Sequence, residues 1–264
     1  MTVRVIAAAL LALALSACGD NRPMSSLTDA EFAAAGLRRV PAAEVEAMQR
    51  AADIWQRQSQ MLNPTVRVEL TQGSGSGTVI HSSDKGTFII TNHHVGGDTD
   101  NTVQVRFWLL NGKGETVLSV LRDAKVVAHD ADADLSLLRL ADTEFRAESI
   151  ATIASETDLL QPTESVYVCG AALGLRAHCT TGLLSLVEAQ LMGRTHIAMS
   201  APTIFGNSGG ALYHKGSNGR FEYIGTVRAI AMAGFGTPIT TTAYAIPNAS
   251  LRDFLRGNGF GDLI

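Results

Sequence analysis

The chain has 264 residues, 46% of them apolar and 17% charged, enough to bury one large core or two smaller ones. A net charge of -4 and a pI near 6.0 provide no basic field for phosphates or anionic headgroups, so nucleic acid is not an expected partner. The 25 glycines outnumber all aromatic residues combined and gather in clusters between β-rich runs, as an all-β body with many tight turns requires.

In chain order, Met1 to Arg4 carries a positive charge and Val5 to Leu15 is apolar. Ser16, Ala17 and Cys18 follow, completing the n-region, h-region and small-residue cleavage site of a secretory signal. The apolar run is shorter than the roughly 20 residues that a membrane-spanning helix needs. Leu15-Ser16-Ala17-Cys18 resembles the bacterial lipobox, which implies a signal over 1–17 and lipidation of Cys18. Gly19 in place of aspartate then points to the outer membrane. An ordinary cleaved signal with a chance cysteine is the alternative. The mixed polar stretch up to residue 40 reads as a tether. Pro41 opens a helix over Pro41–Arg57, within an N-terminal helical segment placed at 41–63. Its apolar stripe of Val45, Met48, Ala52 and Trp55 is expected to dock on the body.

After Asn63-Pro64 the chain turns to short strand-like runs: 66–70, 77–81, 87–91, 102–109, 115–120, 125–128 and 135–140. A second set follows at 165–169, 182–187, 196–199, 210–213, 221–230 and 241–245, separated from the first by a polar stretch near 155–163. The reading is two β halves. Asn248 to Arg256 ends in Gly257 and predicts a short terminal helix with a polar N-cap and a glycine stop.

Gly206-Asn207-Ser208-Gly209-Gly210 sets a serine among three glycines. Acyl transfer needs an exposed hydroxyl and backbone N–H groups turned toward a developing oxyanion, and glycines permit that path. Standing alone, the pentapeptide is equally a glycine-rich turn. His93 and His94 close the run Phe88-Ile89-Ile90, where a strand end can project a side chain into a cleft. Asp130, Asp132 and Asp134 precede an apolar strand, and a carboxylate there can orient an imidazole; the plain alternative is a solvated turn. In the order His94, Asp134, Ser208 the gaps are 40 and 74 residues, which puts the histidine and acid in the first half and the serine in the second.

These motifs resemble the trypsin-like superfamily, and most closely the HtrA-type (Deg) bacterial proteases and their PDZ-free relatives. Gly73–Ile80, Ile90–Val95, Asp130–Leu138 and Phe205–Leu212 resemble that group's entry strand and its histidine, aspartate and serine motifs. Tyr223–Val227 and Tyr244–Pro247 resemble two later segments. The resemblance implies two six-stranded antiparallel β-barrels, at about 64–150 and 160–247, with an N-terminal helix and a C-terminal helix over 248–257. It implies a serine endopeptidase acting on polypeptides with no cofactor and no metal. Ser208 is the nucleophile, His94 the base and Asp134 the orienting acid, with Gly206, Asn207 and Ser208 at the oxyanion hole. His93 competes with His94, and Asp130 and Asp132 with Asp134; position relative to Val95 and Leu135 favours His94 and Asp134. The chain ends at Ile264, so a PDZ domain is not expected, and the oligomeric state is left open. The segment 200–205 departs from the group's pattern and carries no acid, which favours small or medium apolar residues before the scissile bond. In an oxidising compartment Cys169 and Cys179 can pair, or remain as two buried thiols. A catalytically silent binding protein of the same fold and an esterase using the same triad are the competing functions.

Overall fold

The computed structural model describes residues 28–34, 40–71, 73–111, 115–156 and 159–264. The expected signal, Cys18 and most of the tether lie outside these residues. The chain forms two compact units, 1–52 and 53–264. The described part of the first is helical: α1 (Asp29–Ala34) and most of α2 (Ala42–Arg57).

Proline precedes α2 and Glu44 lies in its first turn, as the fixed proline φ and the helix dipole favour. Of the stripe expected to dock, Trp55 belongs to the second unit and is 66% exposed there. The helix runs on into a π-helical turn, Gln58–Leu62, whose wider winding re-aims the chain so that Met61 enters the core. Gln56 Nε2 donates to Gly219 O at 2.7 Å, and the Arg57 guanidinium lies 5.4 and 5.3 Å from the ring centres of Tyr167 and Phe221.

Strands β1 (Thr65–Leu70), β2 (Gly73–Ser83), β3 (Gly86–Thr91), β4 (Thr102–Leu110), β5 (Thr116–Asp130) and β6 (Leu135–Leu140) close into a barrel ordered β1-β2-β3-β6-β5-β4. Strands β7 (Ser165–Gly170), β8 (His178–Leu191), β9 (Arg194–Met199), β10 (Ala211–Lys215), β11 (Phe221–Ala233) and β12 (Thr237–Pro247) close a second, ordered β10-β11-β12-β9-β8-β7. Every neighbouring pair is antiparallel. The architecture is all-β, two six-stranded barrels. The runs 115–120 and 125–128, expected as separate strands, are one strand. Between them, Asp123 on the exposed face accepts from Gln104 at 3.1 Å, and Arg122 on the alternate face pairs with Asp142 at 3.2 Å, so each polar side chain has a partner while the ladder with β4 continues.

Alternation sorts the side chains into three clusters. Val66, Val68, Val79, Ile89, Val126 and Leu138 fill the first barrel, and Val166, Val168, Leu184, Ile197, Leu212 and Ile224 fill the second. Between them Phe88, Ile90, Leu135, Leu137, Tyr213 and Tyr223 form the third. Strand β3 supplies both its own barrel and this interface, so all six of its residues are buried and it reads as an unbroken apolar run rather than an alternating one. Helix α4 (Asn248–Gly257) seats Leu251, Phe254 and Leu255 in the same interface. Pro247, not Asn248, holds the cap position; Asn248 spends its amide on Ala154 O at 3.1 Å. The helix runs through Gly257, and the glycine in the left-handed conformation is Gly259, with φ of 80°.

Candidate active site

The β3 strand stops at Thr91, and buried Asn92 leads into a single helical turn, α3 (His93–Gly96). His94 thus stands on a helical turn, not on the strand end itself. Because successive residues of a helix point about 100° apart, the two histidines diverge. His93 Nε2 meets Asp98 Oδ1 at 2.9 Å and its ring stacks on His129, centroids 5.2 Å apart. His94 Nδ1 faces Asp134, 2.9 Å from Oδ2 and 3.0 Å from Oδ1.

Asp134 occupies the β5–β6 turn with φ of 58°, a left-handed conformation in which a non-glycine residue is strained. The strain is held from several sides. Asn92 Nδ2 donates to Asp134 O at 3.0 Å, and the His94 backbone N–H donates to Oδ1 at 3.0 Å. Arg228 Nε donates to Oδ2 at 3.1 Å from β11. Burial raises a carboxyl's pKa, but the His94 ring and backbone donors, with the Arg228 charge, outweigh it and hold Asp134 below the usual range. Asp130 instead accepts from Ala133 N–H at 2.8 Å and shapes the turn, and Asp132 is exposed.

Ser208 lies in the loop entering β10 and shares a cleft of about 370 Å³ with His94, between the two barrels. The other walls are mostly apolar, among them Ile204, Phe205, Val227 and Ile230. No hydrogen bond joins His94 Nε2 to Ser208 Oγ: the hydroxyl donates to Arg228 O at 3.4 Å, a long bond that a rotation about χ1 exchanges. Gly206 and Gly209 have φ of 94° and 85°. Among the described residues the Gly206 and Ser208 amides donate to no backbone or side-chain acceptor, whereas the Asn207 amide donates to Ile204 O at 3.1 Å. The oxyanion expectation therefore narrows to Gly206 and Ser208, because the Asn207 N–H is already committed.

Ser76, on β2, lies within the Gly73–Ile80 motif, which gives it no role of its own, yet it reaches the serine loop. Its hydroxyl donates to Gly206 O at 2.6 Å and accepts from Ala171 N at 2.7 Å, while its own N–H donates to Ser208 O at 2.7 Å. One buried side chain of the first barrel thereby fixes the serine loop of the second. Gly170 is needed beside it: a Cβ there would lie 2.5 Å from Asn207 Oδ1 and 2.8 Å from Ser76 Oγ. Cys169 and Cys179 face each other across β7 and β8 and are joined by a disulfide, Cα atoms 4.1 Å apart.

Residues 75–221 match the trypsin-like peptidase domain family. The chain belongs to that family. It is 30% identical over 185 residues to the serine protease Do-like HtrA of Lactobacillus helveticus, covering 67% of this chain and 41% of that protein. It is 31% identical over 187 residues to Protease Do-like 1, chloroplastic, of Arabidopsis thaliana, covering 66% of this chain and 38% of that protein. The chain thus spans about two fifths of the length of these relatives. Two inactive-form crystal structures of the Mycobacterium tuberculosis protease Rv3671c share the fold at 20% identity, each covering 75% of this chain. Their TM-scores are 0.55 and 0.53, and they are covered over 88% and 90% of their lengths.

In this trypsin-like chain one cluster of ligand-type side chains stands outside the cleft among the described residues. His93, Asp98 and His129 bring three potential donor atoms within 4.8 Å. Thr99 N–H donates to His129 Nδ1 at 3.0 Å, which leaves the neutral ring's proton on Nε2, 3.5 Å from Asp98. The group is a closed hydrogen-bonded cluster around one carboxylate. Among the described residues no helix is long and apolar enough to cross a membrane.

Proposed function

We propose that the chain is a serine endopeptidase of the bacterial cell envelope, cleaving polypeptides through an acyl-enzyme with Ser208 as nucleophile, His94 as base and Asp134 as the group that orients the imidazole. The observation that carries this reading is the pairing of His94 Nδ1 with the buried Asp134 carboxylate at 2.9 Å, in the cleft into which Ser208 opens. With Nδ1–H given to the carboxylate, the neutral ring keeps its lone pair on Nε2 for the serine proton. Ser208 turns from Arg228 O to that nitrogen and attacks the carbonyl. The imidazolium formed is stabilised by Asp134 and protonates the amine as the C–N bond breaks; the neutral ring then takes a proton from a water that attacks the Ser208 ester, which releases the acid and restores the hydroxyl. The free N–H groups of Gly206 and Ser208 receive the oxyanion, and no cofactor enters.

The acid-free cleft walls support a preference for small or medium apolar residues before the scissile bond. Export and lipidation at Cys18 rest on the sequence of Met1–Cys18, and an outer-membrane anchor on Gly19. The test is labelling of the protein lacking residues 1–18 with a fluorophosphonate, mass mapping of the adduct, and casein digestion beside Ser208→Ala. Labelling at Ser208 with casein cleavage is the expected result. A folded protein that does neither refutes the reading and favours a silent binding protein, for which the Ser208 bond to Arg228 O is the supporting feature. Labelling without peptide cleavage but with hydrolysis of small esters identifies the esterase instead.

A further inference from the structure

Arg228 is a cation in the middle of β11, its side chain only 14% exposed, and the mechanism above assigns nothing to it. Its guanidinium is fixed at both ends. Nε donates to Asp134 Oδ2 at 3.1 Å, and Nη1 lies 3.0 Å from His196 Nε2 on β9. His196 is 1% exposed and its Nδ1 faces Arg194 O at 3.0 Å. A carbonyl can only accept, so Nδ1 carries the proton and Nε2 offers its lone pair to the guanidinium. Burial, which disfavours the charged ring, keeps His196 below its ordinary pKa and so in this neutral form. The result is a continuous hydrogen-bonded chain in which Arg228 donates to His196 on one side and to Asp134 on the other, Asp134 also accepts from His94, and the backbone carbonyl of Arg228 receives the Ser208 hydroxyl.

We infer that Arg228, oriented by His196, is a positioning residue for the proposed triad whose fixed charge behind Asp134 sets the acid limb of activity at a lower pH than the aspartate alone would give. The inference rests on the triad reading. Two consequences follow from the geometry. The guanidinium holds Oδ2, the same oxygen that His94 Nδ1 meets most closely, so that the imidazole faces an acceptor that cannot swing. Oδ2 is 3.1 Å from Arg228 Nε and 2.9 Å from His94 Nδ1, which places the two nitrogens no more than about 6 Å apart. At that separation, in a half-buried site, a permanent positive charge opposes the second one that forms on the imidazole.

Other charges face His94 as well. Glu69 of β1 lines the neighbouring cavity and is paired with Arg67 and Arg106. Asp98 is held by His93 and His129 beyond the α3 turn, and Asp130 and Asp132 share the turn of Asp134. None of these contacts Arg228, so a change at position 228 leaves them in place.

The experiment compares Arg228→Gln, which keeps an amide donor but removes the charge, with Arg228→Lys, which keeps the charge. The first readout is the pH profile of kcat/KM on a peptide substrate. The second is an NMR titration of the His94 ring in the Ser208→Ala background, which needs no activity. Loss of the charge is expected to move both the acid limb and the NMR midpoint up by about one pH unit, with Lys remaining within a few tenths of the parent. His196→Phe, which frees Nη1, is expected to move the limb in the same direction by less. Superimposable titrations for Arg228→Gln and the parent, or equal shifts for Gln and Lys, overturn the inference. If Gln does not fold, the His196→Phe titration decides: an unmoved midpoint overturns it. Casein cleavage that survives Ser208→Ala would refute the triad reading, and the NMR comparison would then still decide by itself whether the Arg228 charge acts on the His94 ring.

Discussion

Replacing Ser76 by alanine removes one oxygen that joins the two barrels. The side chain is fully buried, so after Ser76→Ala the carbonyl of Gly206 and the N–H of Ala171 lose their hydroxyl partner where water does not readily enter. Each buried group left unpaired costs about 1–3 kcal/mol, so the pair costs about 2–4 kcal/mol once partial relaxation is allowed. For a folded body of this size that lowers Tm by about 4–16 °C. The local effect is larger than the global one, because Gly206 O is part of the loop whose amides are proposed to hold the oxyanion. Freed there, the loop loses aim on the developing charge, and kcat should fall about 10- to 100-fold while KM changes little, since the apolar walls are untouched. Steady-state kinetics with one peptide substrate and thermal unfolding by circular dichroism measure the two quantities. A Tm drop with an unchanged kcat would refute the claim that Ser76 aims the loop. An unchanged Tm would refute the two buried hydrogen bonds themselves.

Two further outcomes are expected. Replacing Cys169 and Cys179 together by serine, or reducing them, opens a ring spanning a separation of 10 residues, worth about 2.5–3 kcal/mol in chain entropy, so Tm should fall by about 5–12 °C; no change on reduction would show that the bridge does not stabilise the fold. Asp134 has a folded pKa below its unfolded value of about 3.9, so its contribution to stability is complete above about pH 4 and is lost as the pH falls through the depressed folded value. The Tm gap between the parent and Asp134→Asn should therefore be wide at pH 7 and narrow as the pH falls below about 4; a gap constant with pH would mean that the ionised carboxylate is not what the fold uses.

How far each element is legible in the sequence follows from its physics. Strands β3 and β6 stand at the barrel interface with both faces covered, so their apolar runs announce themselves without any alternation to interpret. The glycine loop around Ser208 is legible because its backbone needs conformations that few other residues reach: a Cβ on Gly209 would lie 2.1 Å from Ser76 O. Strand β5 reads as two runs because its central residues are polar, and only the partners of Arg122 and Asp123, Asp142 beyond β6 and Gln104 across on β4, show why a ladder can run through them. The π-turn Gln58–Leu62 that brings Met61 into the core is a backbone event that no hydrophobic pattern records.

The site residues that the sequence motifs pass over share one property: each acts through partners distant in sequence. Ser76 contacts loops 95 and 130 positions away, and Arg228 reaches an aspartate 94 positions away. Arg228 does leave a signal. A lone cation inside Phe221–Ile230, between Val227 and Ala229, cannot be buried without an acid to meet it. That demand points to the acids preceding Leu135, since a histidine already requires one of them in the interior. One carboxylate answering to both an imidazole and a guanidinium is a stronger constraint on the choice of Asp134 than its place before an apolar strand. It also explains how a non-glycine residue is kept at φ of 58° in that turn.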